Sequence, residues 1–290
     1  MQNSWDLDDR NLIAGIDLRQ ERVTSTNYSG TQSTFGLGLF TQAIWPVMSG
    51  SLTTGVRLDS HSVYGDVINP RIAYSVPIVR DRSIRLSYGT AFKSPVFDQL
   101  YFSSAFYVGN PTLRPERSQS ADITWSQKFS EENDFSATLF STQVRDRIIN
   151  DFSVNPGSPR NLAEANLSGW ELELRQPVLH RAALTLNVTG QSAFDQTGTA
   201  LLDTPSLKSN ATLDVKLGAT TVSLIARHVS ERTDSFLRST LPAFATLNLR
   251  FSGLGTPGLS LQLENLTNTE YQEAGGFPMP GARGSIAFKI

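Results

Sequence analysis

Asp59, Ser60 and His61 stand in a row and supply the three residue types of nucleophilic hydrolysis. In an extended strand, however, Asp59 and His61 share one face while Ser60 points to the other, so the nucleophile is turned from its base. His61, His180 and His228 are far apart in sequence and show no metal-ligand spacing. Asp6, Asp8 and Asp9 could offer oxygen ligands to Ca²⁺, but the Gly turn and distal Glu of an EF-hand loop are missing. They read as a solvated acidic end. There is no Cys, which removes thiolate sites, thiol nucleophiles and disulfides together. With 25 Lys+Arg against 27 Asp+Glu there is no basic excess to attract nucleic acid. No phosphate-cradling glycine loop is present. The chain is expected not to be an enzyme and to need no metal or cofactor.

The elements that must position these residues have a period of two. Phe35, Leu37, Leu39, Thr41, Ala43 and Trp45 fall on one face, and Gly36, Gly38 and Gln42 on the other. Leu184, Leu186 and Val188 oppose Thr185, Asn187 and Thr189 in the same way. About 14 segments follow this template: 11–23, 33–46, 50–61, 69–78, 83–93, 118–129, 134–148, 166–177, 181–194, 205–217, 220–231, 243–252, 258–266 and 282–290. Helical periodicity is absent, and residues 1–10 read as a polar end without the basic and apolar regions of an export signal. Connections such as Met48-Ser-Gly50, Ser130–Asp134, Val178–His180 and Gly253–Pro257 are short, whereas 94–117, 149–165 and 232–242 are long.

Only 39% of the residues are hydrophobic and the mean hydropathy is -0.21. A soluble sandwich or propeller would also alternate. Three features favour a membrane barrel instead: strands of about 10–13 residues, a second face rich in Arg, Asp, Lys and Asn, and aromatics near segment ends (Trp45, Phe92, Phe129, Trp170, Phe251). The expected fold is therefore all-β, an antiparallel transmembrane β-barrel. Its three histidines become rim or lumen residues.

Four blocks sharpen this reading. They are Asn69-Pro70-Arg71 with the following Ile84–Pro95, the stretch Gly109-Asn110-Pro111-Thr112-Leu113-Arg114-Pro115-Glu116, the run Asn265-Leu266-Thr267-Asn268-Thr269-Glu270-Tyr271, and Pro280-Gly281-Ala282-Arg283. In order and spacing, residues 69–290 resemble TonB-dependent outer-membrane receptors. Most of these residues read as architectural punctuation. Pro111 and Pro115 cannot donate to a ladder, Asn265 and Asn268 suit a tight turn, and Tyr271 can anchor an extended return. Two departures stand out: Ala282 splits the usual Pro-Gly-Arg, and the chain ends Phe288-Lys289-Ile290 where the family ends on an aromatic.

The resemblance implies an outer-membrane receptor of a Gram-negative bacterium, with a barrel of 22 strands and an N-terminal plug that contacts TonB. About 14 strands and no plug-like segment lead to the expectation that residues 1–290 are the C-terminal part of such a barrel. The resemblance also implies uptake of a scarce small-molecule ligand such as an iron chelate (ferric siderophore), cobalamin or haem. The long loops are then the ligand-facing candidates. Tyr101, Phe102, Phe106 and Tyr107 could stack on a flat ligand, and Arg160 could pair with an anionic one. The same rings could equally pack the loop on itself. A passive 14-stranded pore or structural outer-membrane protein is the alternative, and a soluble all-β binding module a third reading. Asn-X-Ser/Thr patterns at Asn27, Asn166, Asn210 and Asn265 carry no glycosylation meaning in a bacterial outer-membrane protein.

Overall fold

A computed structural model describes residues 1–7, 10–28, 30–235, 238–254 and 258–288. Asp8 and Asp9 of the acidic run, Ser29, part of the 253–257 connection, and the terminal Lys289 and Ile290 lie outside the described residues, as do Phe236 and Leu237 in the 232–242 loop.

The chain order is β1 (Gln2–Leu7), β2 (Arg10–Thr24), β3 (Thr31–Val47), β4 (Gly50–His61), β5 (Gly65–Val79), β6 (Arg82–Lys93), α1 (Phe97–Tyr101), β7 (Glu116–Ser130), β8 (Asn133–Asp151), β9 (Ser158–Leu179) and β10 (Ala182–Asp195). It continues with β11 (Leu207–Leu217), β12 (Thr220–Val229), β13 (Arg232–Thr233), β14 (Thr240–Leu241), β15 (Phe244–Ser252), β16 (Leu259–Glu264), β17 (Gln272–Ala274), β18 (Phe277–Pro278) and β19 (Arg283–Phe288). One 15-stranded sheet runs β1 through β12, then β15, β16 and β19, each strand beside its predecessor. The pairs are antiparallel throughout, so β1 and β19 point the same way and form the sheet's two edges.

All fourteen expected segments are strands of this sheet, and one was not expected. β1 carries mostly polar residues in Gln2-Asn3-Ser4-Trp5-Asp6-Leu7, so its pattern is silent. Pairing with β2 over Gln2↔Gly15 to Leu7↔Arg10 satisfies its backbone without help from side-chain pattern. Two further expectations are corrected. The loop expected at 149–165 shrinks to 152–157, because β8 and β9 run on as a long hairpin of 19 and 22 residues. The 94–117 loop holds a helical turn, α1, which is too short for periodicity to announce it.

Register fixes the two faces. Leu186 lies opposite Leu174 and Ala211, and Asn187 opposite Glu173 and Asn210. The apolar face is open: Leu18 is 71% exposed, Ile68 63% and Leu139 61%. So large an apolar surface is untenable in water and is what a lipid-facing wall requires. The connections sort by end. Residues 48–49, 80–81, 131–132, 180–181 and 218–219 are two-residue turns on one rim, with Met48, Asp81 and Gly218 at positive φ. The loops 25–30, 62–64, 94–115, 152–157, 196–206, 230–243 and 265–282 all lie on the other.

Candidate functional site

Facing the interior near the long-loop rim, β2, β3 and β4 present Asp17, Gly38, Arg57 and Asp59. Arg57 donates through Nε to both Asp59 carboxylate oxygens at 2.9 Å and through Nη1 to Asp17 at 2.7 Å. Gly38, the register partner of Asp59, leaves the room: a Cβ there would strike the Arg57 guanidinium. Above this cluster opens a cavity of about 580 Å³ lined by Arg19, Glu21, His61, Tyr64, Phe92 and Lys93. The His61 and Tyr64 rings stack at 4.1 Å and 5° between planes, and Phe92 tilts against Tyr64 at 5.8 Å. Burial pushes the Tyr64 hydroxyl above its ordinary value, tempered by a bond with Ser94. Hydrogen bonding defines His61 further. Its Nδ1 accepts from the Val63 amide at 3.2 Å, so in the neutral ring the proton sits on Nε2 and that edge donates. Ser60 pairs with Leu37 on the opposite face of β4 from its neighbours, and no nucleophile faces His61 from this run.

Next to this mouth the 94–115 loop folds into a packed cap. Leu100 and Leu113 are only 3% and 2% exposed, and Pro115 and Pro159 are fully buried with them. Gly109 sits where the chain crosses α1, and a Cβ would come within 2.7 Å of the Leu100 carbonyl carbon. Asn110 donates from Nδ2 to the Pro159 carbonyl at 3.1 Å and accepts from the Thr112 amide at 3.0 Å. Asn161 receives the Arg114 amide at 2.9 Å and returns a bond to the Arg114 carbonyl at 2.8 Å. Glu116 accepts from the Ile148 amide at 2.8 Å where β8 bulges at Asp146. Pro111 is exposed at the bend.

The cap brings most of the candidate rings together. Phe97 meets Tyr101 at 6.0 Å, Phe102 meets Tyr107 at 5.9 Å, and Tyr107 meets Phe152 at 6.3 Å while donating to Asn150 at 2.9 Å. Phe106 stands apart, 82% exposed. Arg160, expected on a loop, lies in β9, paired with Asp151 at 3.4 Å.

A second cap covers β12, β15 and β16. Asn265 is buried at positive φ, donates to the Thr269 and Pro280 carbonyls at 2.9 and 3.2 Å, and accepts from the Thr269 amide at 2.9 Å. Asn268 accepts from the Ala282 amide at 2.9 Å across Gly281, so the extra alanine still serves the latch. Tyr271 stacks on Phe244 at 4.3 Å, Leu266 stays partly exposed, and Arg283 pairs with Glu264. Farther round the wall, Asn69, Pro70 and Arg71 lie within β5, paired with Arg57, Val56 and Gly55 of β4, and Pro95 follows the end of β6. Arg71 meets Gln42, and the β5–β6 ladder stops at Arg71↔Gly89. Among the described residues no His/Cys/Asp/Glu cluster could hold a metal ion.

The profile of the family described as TonB dependent receptor-like, beta-barrel, matches residues 2–268. The chain belongs to that family. The vitamin B12 transporter BtuB of Vibrio cholerae is 25% identical over 238 residues, covering 78% of this chain and 38% of that protein. The heme/hemopexin utilization protein C of Haemophilus influenzae is 24% identical, covering 94% and 47%. The chain thus spans less than half the length of these relatives. In fold it is similar to the ferric enterobactin receptor PfeA, with a TM-score of 0.84 at 17% identity over 99% of this chain and 53% of that one. The siderophore receptor PirA from Acinetobacter baumannii gives 0.79 at 15% identity. TonB-dependent receptor barrels sit in the Gram-negative outer membrane, which fixes the apolar face as lipid-facing and the long-loop rim as extracellular.

The cavity at the mouth had no sequence signal as a site. His61 and Tyr64 are adjacent only across a three-residue turn, and Phe92 joins them from another strand. Period-two alternation does show that Arg57, Asp59 and His61 share the lumen face. It does not show that Arg57 is spent on two carboxylates while the ring stack is left bare.

Proposed function

We propose that these 290 residues are the C-terminal portion of the barrel domain of a receptor for energy-coupled uptake of a scarce small molecule: a ferric siderophore, cobalamin or haem. The observation that carries this reading is the mouth itself. A lumen-facing cavity with a flat His61–Tyr64 plate opens on the rim where long loops gather, beside a cap that projects Phe106 outward. Ligand is captured there by stacking and by the His61 Nε2 donor, and Phe106 supplies a second apolar face. Tyr101, Phe102 and Tyr107 hold the cap, and Arg160 acts beside Asp151 at its edge. In this reading the cluster binds ligand and carries out no reaction.

In this reading gating belongs to a plug supplied from outside these 290 residues and pulled by the TonB complex, with outer-membrane lipid as the barrel's solvent. The passive-pore alternative would need the two edge strands, β1 and β19, to close the sheet through a parallel pair, since they run in the same direction.

The test is uptake by a Gram-negative strain whose only receptor of this kind is the full-length protein carrying this segment. Labelled ferric siderophore, cyanocobalamin and haem are supplied with and without functional TonB. Saturable, TonB-dependent entry of one of them is the expected result. Unsaturable entry of small solutes that ignores TonB would establish the pore.

A further inference from the structure

Arg117 on β7 and Arg145 on β8 are register partners, so two arginine side chains leave neighbouring strands at the same level. They are on the outward face. Below them the same face carries the pairs Gln119–Gln143, Ala121–Ser141 and Ile123–Leu139, and Ile123 and Leu139 are exposed apolar side chains beside Leu86. Like charges directly opposed across a sheet repel one another. Of the nearby carboxylates, Glu116 is held by Lys93 at 3.3 Å and Asp146 by Arg114 at 2.6 Å, which leaves a single carboxylate, Asp66, to face both arginines. The pair therefore keeps an excess of positive charge for an anion from outside.

Height in the membrane says what kind of anion. Trp125 and Phe135 meet at 5.5 Å on the same outward face near the short-turn rim, the place of an interfacial aromatic pair. From Trp125 up β7 to Arg117, and from Phe135 up β8 to Arg145, is about nine and eleven residues, the span of one bilayer crossing. The arginines thus reach the outer headgroup level. The step up to them is graded: Tyr88 donates to Gln119 at 3.3 Å, and Gln119 donates to Gln143 at 2.7 Å.

The wall opens at the same place. The β5–β6 ladder ends at Arg71↔Gly89, and Pro70, which has no N–H to give, is the first residue beyond it. The strands part there, leaving a cavity of about 560 Å³ lined by Asp66, Ile68, Thr90, Gln119 and both arginines. Asp66 on the far wall sets one carboxylate against two cations.

We infer that Arg117 and Arg145 dock the phosphorylated headgroup of an outer-leaflet glycolipid, whose acyl chains run down over Ile68, Ile123 and Leu139. Arginine forks match phosphate oxygens two at a time, and relief of the mutual repulsion adds to the attraction. A free phosphate would use the arginines but gain nothing from the apolar floor beneath them. The inference rests on the outer-membrane barrel placement and not on the identity of the ligand taken up.

The experiment uses the protein purified from outer membranes in a mild detergent and titrated with hexa-acylated, bisphosphorylated lipid A. Retained lipid is counted by native mass spectrometry. One lipid is expected to stay bound to the wild type, with binding weakened about tenfold or more in R117Q/R145Q and partly restored in R117K/R145K. The lumen-facing R250Q should bind as wild type does. Wild-type protein is also titrated with lipid A stripped of its phosphates, which gives an answer even if the double variant does not fold, and about tenfold weaker binding is expected. Equal retention of both lipids by the wild type, or equal binding by a folded R117Q/R145Q, would overturn the inference. So would full displacement of lipid A by equimolar inorganic phosphate. Uptake is not read in these measurements, so failure here and failure of the transport reading stay separate.

Discussion

The two extracellular caps are built on opposite principles. The first, made of 94–115 against the β8–β9 hairpin, closes over apolar atoms: Leu100, Leu113, Pro115, Pro159, Ala163 and Ala165 are buried together, and asparagines clip the backbone around them. The second, made of 230–243 and 265–282, closes over polar atoms. Asp234 is 1% exposed and accepts the Gly275 amide at 2.8 Å, and Asn265 is 4% exposed with its amide spent on two carbonyls. A cap of the first kind is held by excluded water. It tolerates any change in its bonds better than a hole in its core. A cap of the second kind has little apolar burial to fall back on, so each polar group it buries must stay satisfied.

The largest effect should come from emptying the first core. Leu113→Ala removes a side chain that is 2% exposed and leaves a hole in the cap's apolar interior. A loss of about 2–4 kcal/mol in the local opening free energy of the cap is expected. Hydrogen exchange should speed up at the amides of Gly109, Asn110 and Arg114, which are bonded in the cap, while Thr269 and Gly275 in the second cap stay protected. Acceleration spread evenly over both caps would show that they are one unit and dissolve the contrast.

Asn265→Ala is the matching test of the second cap. It strands the Thr269 amide and the Pro280 carbonyl, at a cost of about 1–3 kcal/mol. Asn265 also sits at positive φ, so backbone strain would confuse the result. Asn265→Gly removes the strain and the side chain together. If the two variants lose protection at Thr269 to a similar degree, the hydrogen bonds carry the cap. Recovery in the glycine variant would move the credit to the backbone.

The wall and the caps were not equally legible in the sequence. Fourteen wall strands announce themselves because a residue in a barrel strand has two neighbours on its own face at i±2, and lipid against lumen makes the two faces chemically unlike. β1 is silent because Trp5 alone among its first five residues is apolar. The motif blocks around Gly109 and Asn265 could be recognised as architecture, but their work could not. Nothing in Asn110 foretells a bond to Pro159, because that contact spans 49 residues and depends on how far β9 extends past the membrane. The extension itself was missed at 149–165, where Asn150, Asp151, Asn155 and Pro156 look like loop, and a strand bulged at Asp146 does not alternate cleanly. The mouth was hidden for the same reason: its rings come from different strands.

The smallest effect is at the seam between the first cap and the 25–30 loop. The Tyr28 hydroxyl donates to the Asp98 carboxylate of α1, and the Ser103 amide donates to the Asn27 carbonyl at 2.8 Å. The bond to Asp98 pushes the Tyr28 hydroxyl above its ordinary value, since deprotonation would lose the bond and set two negative charges face to face. The sign follows from linkage. A hydroxyl whose value is raised in the folded cap lends its support in full below the ordinary tyrosine range, and loses it as pH climbs through the raised value. The seam should therefore hold through neutral pH and loosen only in strong alkali. Tyr107 is pushed up as well, by burial, so the phenolate signal has to be read as wild type minus Tyr28→Phe. That difference should titrate above the ordinary tyrosine value of about 10. The Phe variant should expose 25–30 to proteolysis slightly at every pH, without an alkaline step of its own. A difference spectrum centred on the ordinary value would mean that Tyr28 and Asp98 do not hold each other in solution, leaving the Ser103–Asn27 bond as the seam.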